Sequence, residues 1–181
     1  SGKVQVDDAY LGGERVGGKV GRGSENKVAF VAAVSLSDEG HPLRVKLSPV
    51  PGFKLQAIAD WARKCLAPGS TVYSDGLACF SAVTQAGCTH ECTVVAGRKP
   101  KDVPELQWIN TVLGNLKTSL SGSYHSFGFR KYASLYLGTF AYRFNLRFDL
   151  KTLTQRLLVA AAQCGPHSQR SIRVVAEVHC S

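Results

Sequence analysis

PELQWINTVLGNLKTSLSG, residues 104–122, reads as one amphipathic helix. Leu106, Ile109, Leu113, Leu116 and Leu120 recur at steps of three and four, which places them on a single face. Pro104 stands ahead of the run and Gly122 closes it, as start and stop signals do. Asn110 and Lys117 lie two turns apart along one edge of that stripe, with Gly114 between them. An edge that faces neither the core nor open water is where a helix borders a cleft. The reading that decides the fold is that two aspartates, Asp7 and Asp75, come up against Asn110 in that cleft.

Upstream of the helix the pattern is that of strands. Lys3 to Leu11 alternates, with Val4 and Val6 on one face and Gln5 and Asp7 on the other. KVAFVAAVSL, residues 27–36, is nearly all apolar, as a strand buried on both faces requires. After the turn at Ser37–Gly40, residues 41–50 alternate again, and Pro51-Gly52 ends the meander. Residues 53–66 switch to helical spacing until Pro68-Gly69. Thr71 to Ser74 is a short strand running into Asp75-Gly76, residues 77–86 a short helix, and Glu91 to Ala96 a fifth strand. Three strands, then helix, strand, helix, strand, helix, predicts a mixed α/β sheet flanked by helices.

Downstream, Phe129, Tyr132, Tyr136, Phe140 and Phe144 step along one helical face, for which core packing is the expectation. Arg143, Asn145 and Arg147 cluster at its end. Leu153, Leu157, Leu158 and Ala161 predict a last helix ending at Gly165-Pro166. The expected division is one domain over residues 3–150, with a C-terminal helix and tail, residues 151–181, packed on it.

The chain has 181 residues, 44% of them hydrophobic, enough for one domain with a sizeable core. It has no apolar run of membrane-spanning length and no signal-peptide pattern, so neither a membrane nor export is expected. Ser1-Gly2 has the form of a tag-removal scar and Met is absent, which suggests a fragment. A net charge of +9 points first to a polyanionic partner, nucleic acid before membrane. Two basic loops supply much of it, one with Arg15, Lys19 and Arg22, the other with Arg98, Lys99 and Lys101. These and Arg130 are the candidate phosphate contacts, although solvated loops have the same composition. Six cysteines, none in a C-x-x-C pair, fit reduced thiols in a cytoplasmic protein. Cys88, His90 and Cys92 resemble half a zinc site but lack a second ligand pair.

Asp7 and Asp75 each end a strand beside a glycine, where mixed sheets place active sites. Turn capping is the plainer reading of Asp75, and Asp8 competes with Asp7, since alternation puts the two on opposite faces. Two neighbouring carboxylates stay ionised together only around a cation. Hard oxygen ligands with an open side fit Mg²⁺ or Mn²⁺, which share the remaining positions with water and substrate phosphate. The amide oxygen of Asn110 is a neutral third ligand, and Lys117 can meet a phosphate as a point charge, although a solvated helix lysine looks the same.

VQVDDAYLGGE, VYSDG, INTVLGNLKTSLSGSYHSF and YRFNLRFDL together resemble the DDE-type transposases of bacterial insertion sequences, in particular the ISXO2-like (IS-fifteen-ninety-five) family. Some of its members carry asparagine at the third acidic position, with lysine seven residues on, as Asn110 and Lys117 stand here. The resemblance runs from Lys3 to Leu150. It implies an RNase H-like fold, a five-stranded mixed sheet with the first strand central. It also implies DNA strand cleavage and strand transfer with Asp7, Asp75, Asn110 and Lys117 as catalytic residues. Asp7, Asp75 and Asn110 would hold two Mg²⁺ or Mn²⁺ ions about 4 Å apart. It further implies element ends and target DNA as partners, and a homo-oligomer on DNA. A nuclease of the same fold that never joins ends, and a decayed DNA-binding module, are the alternatives.

Overall fold

A computed structural model describes residues 2–12, 27–93, 103–124, 128–166 and 168–170; for Phe129 and Arg130 only the backbone is described. The elements in chain order are β1 (Lys3–Leu11), β2 (Val28–Leu36), β3 (Pro42–Pro49), α1 (Leu55–Cys65), β4 (Thr71–Ser74), a 3₁₀ segment (Ala78–Ala86) and β5 (Thr89–Cys92). A 3₁₀ turn (Pro104–Leu106) then leads into α2 (Gln107–Ser123), followed by α3 (Phe129–Asn145) and α4 (Leu150–Gln163).

The five strands form one mixed sheet in the order β3-β2-β1-β4-β5. β1 is central, antiparallel to β2 and parallel to β4. β3 is antiparallel to β2, and β5 is parallel to β4. The apolar run of β2 is buried on both faces, as its composition predicts. Val31 and Ala33 join the core under α1, and Phe30, Ala32 and Val34 join the core under α2 and α3. β1 divides likewise, with Val4 and Val6 on the α1 side and Leu11 on the α2 side. Each fully buried valine, such as Val6, Val31, Val34 or Val72, contributes roughly 1.5–3 kcal/mol relative to an exposed one.

The structure corrects or sharpens four details. The residues of α2 and its leading turn that are fully buried are Leu106, Ile109, Val112 and Leu116, while Leu113 and Leu120 are half-buried at the margin. The core face is therefore rotated toward Val112. The short helix expected over residues 77–86 spans Ala78–Ala86 and is of the 3₁₀ type. Ser81 Oγ donates to Ala78 O at 2.8 Å and Thr84 Oγ1 to Ser81 O at 2.9 Å, and both hydroxyls favour the tighter turn. β5 begins at Thr89, not Glu91, because it pairs with β4 from Thr71 to Ser74. On α3 the buried residues are Ala133 and Leu137. Phe140 and Phe144 pack half-buried against that seam, and Tyr136 sits edge-on to Tyr124 at 4.5 Å.

Polar side chains fix where α2 and α3 sit. Gln5, 2% exposed in β1, accepts a 2.9 Å bond at Oε1 from the Ile109 N–H. That satisfies one of the orphan donors of the first turn of α2 and docks the helix on the central strand. Trp108 Nε1 donates to Gly40 O at 2.8 Å, tying α2 to the β2–β3 turn as well. Asn145 accepts from Val45 N at 2.7 Å and donates to Val45 O at 3.0 Å, so it occupies the free edge of β3. Arg147 donates to Pro42 O and to Leu43 O and stacks on Phe144 and Phe148. The polar cluster at the end of α3 therefore holds the helix to the sheet edge. No residue of α4 is buried.

Candidate active site

Asp7 stands at the middle of β1, level with Ala32 of β2. It shares strand parity with Gln5 and so belongs to the α2 face. Asp8 pairs with Val31 and has the parity of Tyr10, whose ring meets Phe53 at 5.3 Å on the α1 side. Asp75 follows the last residue of β4, the parallel neighbour of β1. The three half-buried carboxylates converge, with one oxygen from each within 4.8 Å of the others. Both readings of the first acid thus have a place, since Asp7 and Asp8 reach Asp75 together.

The turn after Asp75 sets its position. Gly76 has φ +93°, and a Cβ there would stand 2.9 Å from Cys92 Sγ, so any side chain would be strained and crowded. Asp75 Oδ1 accepts from the Leu77 N–H at 3.2 Å, the turn-capping role expected of an Asp-Gly pair. Ser74, fully buried, shares a 2.9 Å hydrogen bond with His90 Nε2 and ties the end of β4 to β5. Burial holds the His90 pKa below its ordinary value, which favours the neutral ring.

Electrostatics single out Asp7. Its pKa is pushed up to about 7, first by burial, then by the charges of Asp75 and Asp8. The Asp8 N–H, donating to Asp7 Oδ1 at 2.8 Å, opposes this only in part. A carboxylate in this state gains from any cation placed among the three acids. Hard, negatively charged oxygens fit a divalent ion such as Mg²⁺ or Mn²⁺.

Asn110 and Lys117 sit on the helix docked beside these acids. Ile109 is bonded to Gln5, and Gly114 and Lys117 line a cavity of about 300 Å³ with Ala9, Tyr10 and Leu11. Asn110, half-buried, lies between those two anchor points on α2, as Asp7 does on β1. Lys117 is exposed. Arg15, Lys19, Arg22, Arg98, Lys99 and Lys101 lie outside the described residues, as does the side chain of Arg130. Among the described residues, the acidic triplet is the one group able to hold a metal, and Cys88, His90 and Cys92 do not form another. Cys88 is buried and donates to Ala67 O at 3.6 Å. Sequence reasoning missed Gln5, the acceptor that fixes α2. A lone amide between two valines of a central strand was its signal.

A mixed sheet in this strand order, helices on both faces, and carboxylates that converge from the central strand and from just past the end of its parallel neighbour define an RNase H-like domain. Residues 1–145 match the ISXO2-like transposase domain, and the chain belongs to that transposase family. No curated protein matches it.

Proposed function

We propose that the chain is the catalytic domain of a DNA transposase that cuts the ends of an insertion sequence and joins them to target DNA by divalent-ion-dependent phosphodiester chemistry. The observation that carries this is the meeting of Asp7, in the middle of β1, with Asp75, just past the end of its parallel neighbour β4, with carboxylate oxygens within 4.8 Å. In this reading Asp7, Asp75 and Asn110 would together hold two Mg²⁺ or Mn²⁺ ions. Bound there, the ions would supply activation of the attacking hydroxyl and stabilisation of the leaving oxygen. Asp75 has one oxygen fixed by Leu77, which orients the other. Asn110 contributes a neutral oxygen, so its side holds a cation less tightly than a third carboxylate would. Lys117, on the exposed side of α2, meets a substrate phosphate as a point charge. No serine or cysteine nucleophile enters.

Arg15, Lys19, Arg22, Arg98, Lys99, Lys101 and Arg130 are the proposed backbone contacts. Neutralising three of them together should flatten the salt dependence of DNA binding; an unchanged slope removes those three. Two copies on DNA, one for each element end, and a cytoplasmic location follow from the same reading.

Labelled element ends with free 3′-hydroxyls, a target plasmid and Mn²⁺ test it. Joined product is expected, falling at least about a thousandfold in Asp7→Asn and Asp75→Asn, the scale of losing a principal electrostatic group. Cleavage without joining would make the chain a nuclease. The neutral Asn110 favours a second reading, a decayed DNA-binding module, which predicts neither product nor metal binding that depends on Asp7 and Asp75.

A further inference from the structure

The sheet carries a second concave surface, away from the aspartates. A cavity of about 880 Å³ has β2 and β3 as its floor and the end of α1 and a flank of α3 as its walls. Lys3, Arg44 and Lys46 line it, all three exposed, and no acid is among the lining residues. Asp38 and Glu39, in the neighbouring β2–β3 turn, stay outside it. The ion pairs among the described residues are Arg63–Asp60 and Arg156–Asp149, so none of these three cations is neutralised by a described partner.

Register fixes its relation to the aspartates. Arg44 pairs with Ser35 and Lys46 with Ala33, and those residues pair with Val4 and Val6. Arg44 and Lys46 therefore project from the α1 face, and Asp7 belongs to the opposite one. Within the sheet, three residues along and two strands across separate Arg44 from Asp7 by roughly 14 Å. Arg44 and Lys46 stand about 6.6 Å apart, two residues along one strand, a spacing that suits successive phosphates of one nucleic-acid strand.

We propose that this groove seats the sugar-phosphate backbone of a DNA segment other than the one presented to the aspartates. Its occupant is nucleic acid rather than an acidic peptide. A peptide would add to a free strand edge or fill apolar anchor pockets. The β3 edge beside the groove is already taken by Asn145, bonded to Val45 N and O at 2.7 and 3.0 Å. The lining is largely apolar, Leu36, Leu43, Leu47, Leu66 and Tyr142 included, but every charge on it is positive, and it is Lys3, Arg44 and Lys46 that a phosphate backbone would meet. This rests on DNA as the partner of the family and not on the metal site.

The test uses the full chain and a short labelled duplex in EDTA, with affinity read across a salt series. Arg44→Gln/Lys46→Gln should lower the slope of log K against log salt by about 1.8, at about 0.9 for each phosphate no longer neutralised. It should also lose several-fold in capturing a second duplex onto protein already holding an immobilised one. Arg44→Lys/Lys46→Arg, which keeps the charge, should retain both. The proposal is overturned by an unchanged slope, by equal loss in the charge-keeping pair, or by capture that survives the slope change. A larger loss of polyglutamate binding than of duplex binding would assign the groove to a protein partner and also overturn it. Mn²⁺ binding measured on the same variants separates the two sites. If wild type binds none, the metal reading fails while the slope result stands by itself.

Discussion

Asp7 is where burial and charge conflict most sharply. Its pKa of about 7 in the folded chain lies far above that of an unfolded aspartate. The folded state therefore keeps a proton that the unfolded state has lost. Stability from this group is fully present only below the unfolded pKa of 3.8 and is lost as pH rises from there to about 7, at up to about 1.4 kcal/mol per pH unit. Ion-free protein should unfold more easily in urea near pH 8 than near pH 5, by roughly 2–4 kcal/mol from this group alone. Asp7→Asn should remove most of that difference. Saturating Mg²⁺ should oppose it, because a cation bound only to the folded state stabilises that state. Asn110 is the complementary position. Asn110→Asp should tighten Mn²⁺ binding about tenfold, near 1.4 kcal/mol, measured by calorimetry. Unchanged or weaker binding would remove residue 110 from the ligand set.

At the scale of elements, one buried amide helps to place α2 on the central strand. Gln5→Ala would leave the Ile109 N–H without its acceptor, at a cost of about 1–3 kcal/mol. The expected result is a lower denaturation midpoint together with weaker Mn²⁺ binding, since Asn110 is the next residue. Gln5→Glu keeps an acceptor and should lose less. If the midpoint falls but ion binding is untouched, α2 does not carry a ligand. The elements themselves were largely legible in the sequence. The two-faced burial of β2 follows from its unbroken apolar run, and β1 and β3 follow from alternation. The 3₁₀ form of residues 78–86 was not legible, because it turns on hydroxyls choosing carbonyls three residues back. Nor was the start of β5, which register with a four-residue partner decides. The aromatic spacing on α3 suggested a core, but the small Ala133 is what lets that helix approach the sheet. Asn145 and Arg147 showed in the sequence only as a polar cluster at the end of that stripe, and their work is to cover an edge strand.

At the scale of the whole molecule, Asp7 and the Arg44–Lys46 pair lie on opposite faces of the sheet. Negative charge gathers at the middle of β1 and just past the end of β4, while the chain as a whole carries +9. Strand parity puts Asp7 under α2 and the Arg44–Lys46 groove on the other side, so in the proposed reading one domain would offer two surfaces to DNA. The family match ends at Asn145, leaving α4 and its exposed Leu157 and Leu158 beyond it. That Asp7 and Asp75 would meet could be inferred from strand ends and glycines far apart in the chain. That Asp8 would join them could not, because alternation along β1 sends neighbouring side chains to opposite faces. The most direct measurement is an anomalous-difference map from crystals grown with Mn²⁺. The expected result is density about 2.2 Å from carboxylate oxygens of both Asp7 and Asp75, with the Asn110 amide oxygen on the same ion or its neighbour. Well-ordered crystals showing no such peak at saturating Mn²⁺, or a peak held by Asp8 with Asn110 turned away, would contradict it.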